Sequence, residues 1–86
     1  MRTFVIYQQQ SDHARDVDTF MHDFNRQTGK VLETVDPNTP EGAHLRETYD
    51  LVELPSVVTL DDSGIIQNVW RGLPLPTISE VSYYAD

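Results

Sequence analysis

A strand–helix–strand unit at the start of the chain restricts the fold more than any other feature. Phe4-Val5-Ile6-Tyr7 is an unbroken β-branched and aromatic run, the pattern of a strand buried on both faces. Polar Gln8-Gln9-Gln10 ends it as loop. Ala14, Val17, Phe20, Met21 and Phe24 then recur at three- and four-residue spacing and form one apolar stripe, which predicts a helix over 12–28. Ser11 or Asp12 is placed to cap its first turn, Asp12 and Asp16 sit at the positive end of its dipole and Arg26 near the negative end. Gly29 supplies the left-handed stop. Val31 to Val35 reads as a second strand, with Glu33 and Thr34 marking a partly solvated edge. Two strands joined through a helix lie parallel with a right-handed crossover, so this opening third sets the hand and class of the whole domain.

The remainder completes an α/β sandwich. Asp36-Pro37-Asn38 has turn chemistry, Thr39 caps a second helix with Pro40 at its first position, and Leu45 and Tyr49 share its inner face. Ser56–Leu60 and Ile65–Arg71 read as strands joined by Asp61-Asp62-Ser63-Gly64, an antiparallel hairpin. Leu73-Pro74-Leu75-Pro76 is an extended lead-in to a last helix, opened by the capping box Thr77-Ile78-Ser79-Glu80 and turning Ile78, Val81 and Tyr84 inward. The order is β-α-β-α-β-β-α with a mixed four-stranded sheet, in one domain over 1–86. A chain of 86 residues excludes two domains, a solenoid or a large barrel. It buries only roughly 60–65% of its unfolded surface, so a partner or a second copy would add useful burial.

This chain resembles the thioredoxin fold in its minimal, glutaredoxin-like size, over essentially its whole length. Val52-Glu53-Leu54-Pro55-Ser56-Val57-Val58 looks like the family segment in which a proline, usually cis, opens the third strand. Gly72 matches the glycine that precedes the last helix, and Ser11-Asp12-His13-Ala14 falls where the family carries C-x-x-C. Ser11 and Ala14 replace both cysteines, and the chain contains no cysteine at all. A hydroxyl forms no mixed disulfide, so dithiol chemistry is gone. His13 stands where some oxidising relatives have histidine, without a thiolate to stabilise. The resemblance implies a groove between residues 8–14, Leu54-Pro55 and the loop at Arg71-Gly72. In it the backbone of Leu54 would pair with an extended peptide or with glutathione.

Composition narrows the partners. Fourteen acidic residues against six basic ones give a net charge of −8, a surface that repels phosphate backbones and anionic membranes. The apolar opening run of four is too short for a signal-peptide core, and nothing approaches a membrane span; together with the missing cysteine this predicts a soluble cytoplasmic protein. His13, His22 and His44 have no His-x-x-x-His pair, and Asp61-Asp62 is explained by its turn, so no metal or cofactor is expected. A Ser11–His13–Asp triad fails because side chains two apart at a helix start point different ways. The candidate binding residues are therefore Ser11, Asp12, His13, Leu54, Pro55 and Arg71, with Trp70, Tyr83 and Tyr84 as core or interface aromatics. The reading is a redox-inactive binding or adaptor module that recognises a protein segment, a peptide or its own copy. The alternative is a glutathione-binding or glutathione-dependent protein in which Ser11 donates a hydrogen bond to sulfur.

Overall fold

The computed structural model describes residues 1–85. Its elements run β1 (Arg2–Ile6), α1 (Ala14–Thr28), β2 (Glu33–Val35), α2 (Pro40–Tyr49), β3 (Ser56–Leu60), β4 (Ile66–Arg71) and α3 (Ile78–Tyr84). The sheet order is β2-β1-β3-β4, with β1 parallel to β2, and with β1–β3 and β3–β4 antiparallel. The predicted order, the parallel opening pair and the hairpin are all present.

Side-chain alternation explains why helices cover both faces. Val5, Tyr7 and Val57 point to one side and pack with Ala14, Val17, Phe20 and Phe24 of α1 and Val81 of α3. Phe4, Ile6, Val58 and Leu60 point to the other, where Leu45 of α2, Val35 and Leu51 cover them. All five residues of β3 are buried, as its place inside the sheet requires. Of the three α3 residues expected to face inward, Val81 is fully buried, while Ile78 and Tyr84 are half-buried.

Three boundaries differ from the sequence reading. Helix α1 begins at Ala14 rather than 12, with His13 at the cap position and no side-chain cap. Ser11 does not cap it because its hydroxyl turns back and donates to the Gln8 carbonyl at 2.6 Å, and Asp12 is exposed. Strand β2 is only Glu33–Val35, because its ladder with β1 starts at the Phe4–Glu33 pair; Val31, before it, is 81% exposed. Strand β4 starts at Ile66, behind an irregularity that shifts the register between Thr59 and Leu60. Edge strands carry such bulges because they twist an open edge away from chance pairing.

The remaining caps and turns form as expected. Gly29 is left-handed and its amide bonds Asn25 O. Thr39 accepts from the Gly42 amide at 3.0 Å, and Thr77 and Glu80 form the reciprocal capping box. Asp61 Oδ1 accepts the Ser63 and Ile65 amides, which closes the hairpin turn, and Tyr49 donates to Gly64 O to tie that turn to α2. No described helix is long and apolar enough to cross a membrane.

Arg2 joins the edge to the second helix. Its guanidinium grips the Glu33 carboxylate through two hydrogen bonds, 2.9 and 2.8 Å, and reaches Glu41 in α2 at 3.0 Å. The hydrogen bond from Arg2 holds the Glu33 carboxyl below its ordinary 4.5, more than partial burial raises it. A carboxyl with a lowered folded-state pKa adds stability above its unfolded pKa and loses it as pH falls through the folded one. Both side chains are substantially exposed, so solvent limits the pair to about 1 kcal/mol or less. Chemical unfolding at pH 7 and at pH 3 is therefore expected to show the wild type losing more stability than Glu33→Gln, by at most about 1 kcal/mol. Equal losses would show that the pair adds nothing.

Gly42 is where α2 presses on the preceding turn. A Cβ there would lie 2.0 Å from Asp36 O and 2.8 Å from Pro37 Cα, both backbone. Since neither can yield without moving the turn, Gly42→Ala is expected to cost about 1–3 kcal/mol in urea unfolding despite alanine's better helix propensity. A neutral or stabilising result would mean that α2 sits farther from the turn in solution.

Candidate functional site

Strand register assembles the candidate site. Ile6 pairs with Ser56, and Ser56 pairs with Arg71, so three residues form one row across β1, β3 and β4. The segments after Ile6, before Ser56 and after Arg71 consequently emerge at the same edge of the sheet. This brings the 8–13 loop, Leu54-Pro55 and Arg71-Gly72 to one end of the molecule, as the sequence reading expects.

The Leu54-Pro55 segment is held from behind. The Gly72 amide donates to the Pro55 carbonyl at 2.8 Å, and the Ser56 hydroxyl donates to Glu53 O. The Leu54–Pro55 peptide bond is cis, and so is Leu73–Pro74. Pro55 is buried, while Leu54 is half-buried against the α2-side core. Gly72 has φ 73°, a left-handed backbone that favours glycine, while the Glu53 carboxylate that a Cβ would meet at 2.7 Å is the movable end of a side chain. Among the described residues, neither the amide nor the carbonyl of Leu54 has a hydrogen-bond partner.

The 8–13 loop is folded onto its own backbone. The Gln8 carbonyl accepts the Ser11 hydroxyl at 2.6 Å, and the Gln8 amide donates to His13 Nε2 at 3.1 Å. A serine hydroxyl has one proton to give, and Ser11 gives it to Gln8. The His13 ring stands edge-on to Tyr7, with centroids 6.4 Å apart. Tyr7 in turn donates to Asp18 at 3.2 Å; burial first, and the Asp18 charge second, push its phenol above the ordinary value.

Arg71 is exposed at the end of β4 and, among the described residues, has no ion-pair partner. Beyond it, Leu73 is 52% exposed, and Leu73-Pro74-Leu75 line a cavity of about 570 Å³ together with Asp16 of α1. A more polar crevice of about 270 Å³ opens between Gln8-Gln9-Gln10 and the Asp36–Asn38 turn. Sequence reasoning missed Leu73 and the cover of Glu53 over Gly72. An exposed leucine between an arginine-glycine pair and a proline was the available signal for the first. The second is a packing contact that no spacing announces. Among the described residues no group of three or more His, Asp or Glu side chains is placed to hold a metal ion.

No protein-family model matches the chain, and no curated protein matches it in sequence. Among solved structures it is similar to thioredoxin 1 from the thermophilic eubacterium Thermosipho africanus, with a TM-score of 0.64 and 14% identity, over 98% of this chain and 89% of that one. At that identity the likeness speaks for the fold. The chain has a thioredoxin-like fold, and with no cysteine anywhere in its sequence it lacks the C-x-x-C motif.

Proposed function

We propose that this protein is a redox-inactive thioredoxin-like adaptor that binds an extended segment of a partner protein against Leu54-Pro55. One observation carries the reading: the backbone amide and carbonyl of Leu54 are unpaired at an edge where the neighbouring Pro55 carbonyl is already bonded. Unpaired backbone groups beside a sheet are what an extended peptide completes, as an added strand. Exposed Leu73 offers apolar contact and Arg71 a charged one at the same end.

Chemistry favours binding over catalysis. The chain has no thiol, and the Ser11 proton that would serve a glutathione sulfur is engaged by Gln8. The net charge of −8 disfavours nucleic acid and anionic membranes as partners, and a cysteine-free domain suits the reducing cytoplasm. The partner is a protein segment, with a second copy of this chain as the homodimeric case.

The test compares wild type with Leu54→Asp in a pull-down, then in titrations with the captured protein. Leu54 is only half-buried, so circular dichroism should show the variant folded. Loss of capture with an affinity drop of about tenfold or more is expected, the effect of removing an anchor residue. Undiminished binding by the folded variant would move the interface away from this groove.

A further inference from the structure

On β4 and α3, away from the Leu54-Pro55 groove, three aromatic rings and a carboxylate surround one surface cavity. Trp70 of β4 meets Tyr84 of α3 edge-on, with ring centroids 5.8 Å apart and planes at 69°. Tyr84 meets Tyr83 the same way, 5.0 Å apart at 81°. Successive rings near right angles do not stack, so they leave ring faces unpaired by one another. With Asn68 and Glu80 they line a cavity of about 230 Å³. Tyr83 is 80% exposed, so its ring is accessible from solvent.

The chemistry of the lining selects the ligand. Aromatic faces carry negative potential and attract cations, most strongly at tryptophan. Glu80 adds a full negative charge. Its Oε1 accepts the Thr77 amide and hydroxyl at 3.1 and 3.0 Å, and these bonds hold the carboxyl below its ordinary value, so it is ionised at neutral pH. Among the described residues no basic side chain lines the cavity. The polar groups present are largely engaged. Asn68 gives Nδ2 to the Tyr84 hydroxyl at 3.5 Å and takes the Val69 amide on Oδ1 at 2.8 Å. A bare ammonium or guanidinium holds its water through every N–H and gives it up at a cost on moving against ring faces. A fully alkylated ammonium has no N–H to satisfy.

We propose that Trp70, Tyr83, Tyr84 and Glu80 form an aromatic cage that binds a quaternary, alkylated ammonium group. The same headgroup occurs on small cations of the choline type and on methylated lysine side chains. The proposal is independent of the groove: it uses other residues and predicts binding whether or not a peptide occupies Leu54-Pro55.

Trp70 is the sole tryptophan, so its emission reports on the site directly. Wild type is titrated with tetramethylammonium, with choline and with a short peptide carrying trimethyl-lysine, against the neutral isostere 3,3-dimethylbutanol and the unmethylated peptide. Saturable quenching or shift by the quaternary ions alone is expected. Tyr83→Ala, at an exposed position, should weaken binding by about 3- to 30-fold, the range for one cation–π partner. Glu80→Gln preserves a capping-box residue and should also weaken it, while circular dichroism stays unchanged. Tighter binding of the peptide than of choline would assign the cage to a protein side chain, and the reverse to a small cation. Equal response to the neutral isostere, or no response to any quaternary ion with a folded protein, would overturn the proposal.

Discussion

Everything in this molecule hangs on the pairing of β1 with β3. These are the two inner strands of the sheet, and both are apolar on both faces, so neither tolerates solvent on either side. Their register decides which residues face α1 and α3 and which face α2. A slip of β1 by one residue against β3 would turn Val5 to the α2 side and Phe4 to the α1 side, while β3 kept its faces. Phenylalanine and valine differ enough in volume that neither core would close well. The row Ile6–Ser56–Arg71 comes from the same register, so the candidate groove is fixed by core packing. No separate interaction is needed to gather its three segments.

That dependence explains why the fold holds together in a chain without cysteine. In the 8–14 segment the polar side chains act on the loop's own backbone: Ser11 and His13 satisfy the carbonyl and amide of Gln8 where the chain leaves the sheet. A loop with internal polar groups satisfied in this way remains ordered without a disulfide or a bound ligand. Across the cleft, Gly72 closes the carbonyl of Pro55. What remains unpaired among the described residues is the backbone of Leu54. Fold and chemistry separate cleanly here, because position comes from strand register while reactivity comes from side chains this chain does not have.

Much of this is legible in the sequence, and the rest is hidden for physical reasons. The stripe Val17–Phe20–Phe24, the Thr77–Glu80 box and the Asp61–Gly64 turn rest on contacts within a few residues, so spacing alone announces them. The start of α1 is obscured because Ser11 is a good cap by type, and only the path of residues 8–10 shows that it faces backward. Strand β2 reads too long because a strand extends only as far as its neighbour, and β1 pairs with it at three positions. The Arg2–Glu33–Glu41 cluster joins residues 31 and 39 apart, beyond any periodicity. Among the candidate site residues, the convergence of Ser11, Leu54-Pro55 and Arg71 can be inferred from topology, whereas the spent proton of Ser11 cannot.

Charge gives the two surfaces a common logic. An excess of eight negative charges on so small a domain produces a field that concentrates cations near it and slows the approach of anions, within a Debye length of about 8 Å at physiological salt. That field acts before any specific contact. At the proposed groove it would favour segments with basic residues. At the Trp70–Tyr84 face it adds to the attraction of ring and carboxylate for an ammonium group. The two should separate on addition of salt: long-range steering is screened, while a cation seated against aromatic faces is partly desolvated and screened much less. Salt dependence would therefore measure how much of each proposed binding event belongs to the whole molecule's field and how much to the residues in contact.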